Sequence, residues 1–245
     1  MAQKKPLLFR FIKGSVRFFY RKMTVTGLEN LPDEPCVIVS NHTKMNGPIA
    51  CELYFPGKRY TWCIGQMMHR KEVPAYAFQD FWSKKPAWSH WFYHLLSHLI
   101  APLSEHIFTN ADTIGVYKDG RALTTFKNTV KRLEEGANVI IFPEHDVPYN
   151  HIICDFQDKF IDVARLYYKR TGKTLTFVPM YIAPNLGQMV LGEGTVFDPD
   201  APIDEERVRI CHYLMDAITA TALSLPAHRV VPYPNMPKRT YPMSK

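Results

Sequence analysis

The sequence predicts an α/β fold, a single domain whose mostly parallel central sheet is flanked by helices. Two observations carry that expectation. Short apolar runs such as "CVIVS" and "NVIIF" alternate along the chain with longer segments of helical periodicity. Length and composition are those of an ordinary folded protein: 245 residues, 46% hydrophobic, 22% charged, with no internal repeat or low-complexity tract.

The first element is a helix within residues 1–22, "LLFRFIKGSVRFFYRK". Arg10, Lys13, Arg17 and Arg21 recur at spacings of three and four and form a basic stripe. Leu8, Phe11, Ile12, Val16 and Phe19 form an apolar stripe opposite. With Lys4, Lys5 and Lys22 this segment holds the whole excess of positive charge, because the other 23 basic residues balance the 23 acidic ones. Cations interrupt the run too often for a spanning helix or a signal-peptide core. Such a helix lies in a membrane interface against anionic headgroups. The expected location is therefore peripheral, on the cytoplasmic side of a membrane. Nucleic acid is not an expected partner, since the cations are confined to one terminal helix.

Residues 23–225 are expected to form the α/β domain. Strands are expected at Cys36–Ser40, Tyr60–Ile64, Thr113–Tyr117, Asn138–Phe142, Thr174–Met180 and Gln188–Leu191. Helices are expected at Pro48–Tyr54, Trp88–Leu103, Arg121–Glu135, Gln157–Arg170 and Glu205–Leu225. In Arg121–Glu135 the residues Ala122, Phe126, Val130 and Leu133 share a face, and Gly136 suits the cap beyond its end.

Helix 88–103, "WSHWFYHLLSHLIAPL", is apolar over more than half its circumference, so it is either buried or set into lipid. His90, His94 and His98 are four apart on its narrow polar side, a spacing at which two histidines can bind zinc. No carboxylate or cysteine nearby completes a coordination sphere, and no metal site is expected. The five cysteines are scattered and contain no CxxC pair, which favours reduced thiols over a disulfide framework. The tail 226–245, with four prolines from Pro232 onward, is expected to be extended or poorly ordered and to carry no chemistry.

Two short motifs sit just past expected strands, where open α/β sheets build their sites: Asn41-His42 after "CVIVS", and Pro143-Glu144-His145-Asp146 after "NVIIF". A histidine so placed can act as a general base near neutral pH. A carboxylate beside it can accept hydrogen bonds from a polyol.

These motifs resemble those of the glycerolipid acyltransferase family typified by 1-acyl-glycerol-3-phosphate acyltransferase. Asn41 and His42 match the start of its N-H-x-x-x-x-D block, and Phe142, Pro143 and Glu144 match the start of F-P-E-G-T-R-S. "TIGVYKDGR" is similar to the second block, with Lys118 or Arg121 in its basic role, and "LTFVPMYIAP" to the fourth. The blocks keep the family's order across residues 24–195. The resemblance implies transfer of an acyl chain from a thioester (acyl-CoA or acyl-acyl-carrier-protein) to a glycerolipid hydroxyl. It implies His42 as base, Glu144 positioning the acceptor, and no bound cofactor. Asn41 and Asn46 would tune the histidine, and Lys118 or Arg121, with Phe142 and Pro143, would meet the acceptor. Two departures matter. Gly47 stands where the family has the aspartate that orients the histidine, leaving Glu144 or Asp146 as possible replacements; and His145-Asp146-Val147-Pro148 replaces the block containing the phosphate-binding arginine. A relative that binds lipid or acyl carrier without turnover is the alternative, and a metal-dependent hydrolase using the histidine helix a third reading.

Overall fold

All six apolar runs form strands. The structure, a computed structural model, describes residues 5–245; Lys4 of the basic cluster lies outside the described residues. In chain order the strands are β1 (Thr24–Thr26), β2 (Val37–Ser40), β3 (Arg59–Ile64), β4 (Thr113–Val116), β5 (Asn138–Ile141), β6 (Glu144–Pro148), β7 (Cys154–Phe156), β8 (Thr176–Ala183), β9 (Gln188–Leu191) and β10 (Thr195–Val196). The helices are α1 (Leu7–Phe19), α2 (Asn46–Tyr54), α3 (Val73–Ala77), α4 (His90–Asn110), α5 (Ala122–Glu134), α6 (Asp162–Thr171) and α7 (Ile203–Ser224).

The chain divides into two compact units, residues 5–18 with Tyr60–Asn128, and Phe19–Arg59 with Thr129–Lys245. In the larger unit the strands run in the order β1-β9-β8-β2-β5, with β10 beside β8. β2 lies between β5 and β8 and is parallel to both, and β1 is parallel to β9. The β8-β9 and β8-β10 pairs are antiparallel. Successive residues of a strand face opposite sides, and both sides of this sheet are covered. Ile38, Ile140, Val178, Met180 and Ile182 pack with Ala50, Cys51 and Phe55 on one side. α7 lies against β8 and buries Ile210, Leu214 and Ile218. Each such fully buried side chain contributes roughly 1.5–3 kcal/mol, which is why the strands read as unbroken apolar runs.

In the smaller unit β3 and β4 pair in parallel, Thr61 opposite Thr113. α3 packs on α4 through Val73, Ala77 and Ala101. The predicted cap at Gly136 is present: its φ is 78°, the left-handed conformation that glycine adopts without strain, and its N–H donates to the Leu133 carbonyl at 3.0 Å. α1 carries Arg10, Lys13 and Arg17, but Arg21 lies beyond its end and donates to the Asn185 carbonyl.

The tail is where the structure departs most from expectation. It doubles back on itself, with the Val230 N–H donating to the Pro242 carbonyl at 2.9 Å and the Ser244 N–H to the His228 carbonyl at 2.9 Å. His228 is buried and meets the Tyr181 hydroxyl at 2.8 Å. Through His228 the segment is bound to Tyr181 of β8.

Candidate active site

Strand register explains the pairing at the heart of the site. β2 and β5 are matched Val37 to Val139, Ile38 to Ile140 and Val39 to Ile141. Carried three residues further, that offset sets His42 opposite Glu144. The contact is there: the Glu144 carboxylate accepts from the His42 backbone N–H at 2.5 Å and, through its other oxygen, from the Cys154 N–H at 3.0 Å. Glu144 is only 3% exposed. Burial pushes its pKa up to about 7, while the two amides pull the other way. The carboxylate therefore fixes the main chain at the histidine, and both its oxygens are engaged with backbone.

Asn41 does equivalent work on the other flank. Its buried side chain donates from Nδ2 to the Ile182 carbonyl at 3.0 Å and accepts the Ile182 N–H at 2.7 Å through Oδ1. An amide side chain thus continues the β2-β8 ladder by one step after the backbone has turned away. Asn46 donates from Nδ2 to the Thr43 carbonyl at 2.9 Å. These bonds give the two amides main-chain partners, not the imidazole.

The loop after His42 is tightly wound. Thr43 (φ 47°) and Lys44 (φ 57°) are consecutive left-handed residues, a conformation costly for a β-branched side chain. The turn is closed by Asn46 N–H to the Thr43 carbonyl at 3.1 Å and Gly47 N–H to the His42 carbonyl at 3.2 Å. Strain of this kind persists where surrounding bonds over-determine the backbone, and Glu144 and Asn41 supply those bonds.

The His42 ring is half-buried. Phe142 meets it edge-on at 5.2 Å between centroids, and Tyr233 does so at 5.5 Å. Lys44 reaches the Tyr241 hydroxyl at 2.8 Å. Sequence reasoning missed Tyr233 and Tyr241 altogether. Their only signal was aromatic spacing in a proline-rich tail, which does not say where such rings dock. Burial lowers the His42 pKa, with backbone groups of Lys44 and His42 itself opposing. The imidazole is consequently neutral, the form a base requires.

What the ring lacks is an acidic neighbour. Among the described residues His42 Nδ1 is buried with no hydrogen-bond partner. Glu144 engages the backbone, and Asp146 is exposed on β6. Nor is Gly47 a simple deletion. A Cβ there would come within 2.6 Å of the His42 carbonyl oxygen and 2.9 Å of Phe142 Cε1. The backbone has closed over the space in which an aspartate would begin.

Pro143 is buried and Phe142 partly so, both beside this cluster. Lys118 and Arg121 belong to the other unit. Lys118 is exposed. Arg121 lies 4.1 Å over the Tyr117 ring, and is held by Glu72 at 2.8 Å and Asp119 at 2.7 Å. Glu72 is far off in sequence, so nothing in the local motif announced that pairing.

No family model and no curated protein matches the sequence. Among solved structures, the chain is similar to the 1-acyl-sn-glycerophosphate (LPA) acyltransferase PlsC from Thermotoga maritima, with a TM-score of 0.50 at 13% identity over 90% of this chain and 84% of that one. At that identity the likeness is one of fold: the α/β arrangement of this chain is that of a PlsC-type acyltransferase.

Proposed function

We propose that the protein is an acyltransferase working at a membrane surface, moving an acyl chain from a thioester donor to a hydroxyl of a (lyso)glycerolipid. The observation that carries this reading is the meeting of His42 and Glu144 at the carboxyl ends of adjacent parallel strands, on a fold similar to that of a PlsC acyltransferase. In the reaction the neutral imidazole takes the acceptor's hydroxyl proton as its oxygen attacks the thioester carbonyl. The tetrahedral intermediate then collapses, the C–S bond breaks, and the departing thiolate takes the proton back from the imidazolium. An ester forms, a thioester is consumed, and no bound cofactor enters the scheme. Glu144 acts here as a positioning residue, since its oxygens hold backbone rather than acceptor. The basic face of α1 is the surface this reading places against anionic headgroups on the cytoplasmic side.

One observation favours a second reading, in which the chain binds lipid or acyl carrier without turnover: the unpartnered Nδ1 of His42. A base whose imidazolium has no carboxylate beside it is a poor one; in the serine-protease triad, neutralising that carboxylate costs about 10⁴ in turnover. The purified chain, given a long-chain acyl thioester and a lysophospholipid, separates the two. Turnover abolished by His42→Ala supports the first reading. Binding of the thioester without turnover supports the second, and turnover unchanged in His42→Ala rejects His42 as the base.

A further inference from the structure

α4 is built inside out. Viewed down its axis, the face turned inward carries Tyr93, Ser97, Ala101 and Ser104, of which the last three are buried. Both serines have partners, Ser97 Oγ donating to the His94 carbonyl at 2.7 Å and Ser104 Oγ to the Met67 carbonyl at 2.9 Å. The face turned outward carries Trp91, Phe92, Leu95, Leu99 and Leu103, preceded in the same line by Trp88. Trp88 is 80% exposed, Trp91 70% and Leu99 66%. A helix facing water shows the opposite order. From Trp88 to Leu103 the stripe runs about 22 Å at 1.5 Å per residue, far longer than the scattered apolar residues that ordinary surfaces show.

We infer that this face of α4 lies in the headgroup–acyl boundary of a lipid bilayer, inserting through apolar contact rather than through charge. The inference rests on the membrane-surface reading above and adds to α1, which pairs its basic stripe with exposed Leu7, Phe11, Phe18 and Phe19, a second contact that carries no charge of its own. Charge distribution selects lipid over protein as the occupant. No Asp, Glu, Lys or Arg occurs between Pro86 and Ser104, so the stripe lacks the arginines of a protein interface, and the polar groups that border it are the imidazole side chains of His94 and His98. Its two tryptophans sit at one end beside exposed Lys84 and Lys85, the arrangement of indoles and cations found at headgroup level. No helix of the described residues is long and apolar enough to cross a membrane, so α4 lies along the surface. Because its insertion is apolar, it extends to zwitterionic lipid, where the cations of α1 contribute little.

The test uses the full chain and phosphatidylcholine vesicles at high salt, which screens the basic residues of α1; every sample, including the one called wild type for its intact α4, carries Leu7→Ser, Phe11→Ser, Phe18→Ser and Phe19→Ser to remove the exposed apolar side chains of α1. Flotation measures binding, and quenching of indole fluorescence by bromine-labelled acyl chains measures depth. Wild type is expected to float and to be quenched. A variant carrying Trp88→Ser, Trp91→Ser, Leu95→Gln and Leu99→Gln is expected to partition about 100-fold more weakly or worse, with an unchanged unfolding temperature because all four side chains are exposed. Equal flotation of the variant, no flotation of wild type, or lipid-free self-association of wild type that the variant abolishes would each overturn the inference. His42→Ala should float like wild type, and the α4 variant should retain any acyl transfer to a detergent-solubilised acceptor. Failure of the chemistry and failure of the insertion are thus read separately.

Discussion

Restoring the family aspartate, Gly47→Asp, is the perturbation whose outcome the structure dictates most sharply. If the site merely lacked a carboxylate, the substitution would rebuild the His–Asp pair and raise turnover. The geometry says otherwise. The new Cβ would meet the His42 carbonyl oxygen at 2.6 Å, Phe142 Cε1 at 2.9 Å and the Asn41 carbonyl oxygen at 3.3 Å. The first contact cannot relax cheaply, because that carbonyl accepts the Gly47 N–H in closing the turn. Overpacking of this kind costs about 1–3 kcal/mol, against which a side chain in place of a helical glycine returns about 0.5–1. Gly47→Ala isolates that balance and should be destabilised by about 0–2.5 kcal/mol. Aspartate adds a carboxylate beside two carbonyl oxygens, so its total should reach about 2–4 kcal/mol, or roughly 5–15 °C in unfolding temperature for a chain of this size. Thermal unfolding and acyl-transfer assays on both variants supply the measurement. A Gly47→Asp protein with unchanged unfolding temperature and markedly higher turnover would refute the reasoning, and would mean that the loop opens far more easily than its bonds imply.

Three further outcomes follow from the same site. Asn41→Ala leaves the Ile182 N–H and carbonyl without their partner, so urea unfolding should show a loss of about 2–4 kcal/mol; a loss under half that would mean the ladder extension is dispensable. Tyr233→Ala exposes one side of the His42 ring, and because burial is what lowers that pKa, the acid limb of the pH–rate profile should move to higher pH while wild type keeps it below the ordinary histidine value. Glu144 has a folded pKa raised to about 7 from 4.5, so the native state holds its proton longer than the unfolded chain does. Its contribution is complete below about pH 4.5 and is lost as pH rises through 7, roughly 3 kcal/mol in all; unfolding free energies of wild type and Glu144→Gln, compared across that window, should differ in slope accordingly, and parallel slopes would contradict it.

Much of the frame was legible because continuous apolar runs leave few alternatives to strands buried on both faces, and β2, β5, β8 and β9 follow from them. That His42 and Glu144 each follow an apolar run was legible too, but the parallel pairing of those two runs as neighbours, which brings the ends together, was not. Hidden were features whose partners lie far off in sequence. The "EHDVP" segment lacks the β-branched alternation that marks a strand, yet it pairs with β7. Arg121 is engaged by Glu72 across 49 positions, and no local pattern reveals that a cation is already matched. The inverted faces of α4 escape periodicity for a different reason: periodicity shows that a helix has two faces, and only neighbouring elements decide which one turns inward.

The lowered pKa of His42 and its missing acidic partner act on the proposed chemistry through different quantities. An imidazole of ordinary pKa is already mostly neutral at pH 7, so lowering it further adds little to the population of base. It does weaken the base, and proton transfer in the transition state follows base strength. Burial and the absent carboxylate both destabilise the imidazolium, so both reduce rate and neither is offset by population. Under the proposed chemistry a site with those two handicaps compensates in positioning, and that is where its bonds are concentrated: two amides on Glu144, two main-chain bonds on Asn41, a strained turn held shut, and two rings edge-on to the imidazole. Holding reactants in register can offset several kcal/mol of barrier, but only for an acceptor that fits. If the chain turns over as proposed, this arrangement predicts a slow enzyme with a narrow choice of acceptor rather than a fast and permissive one.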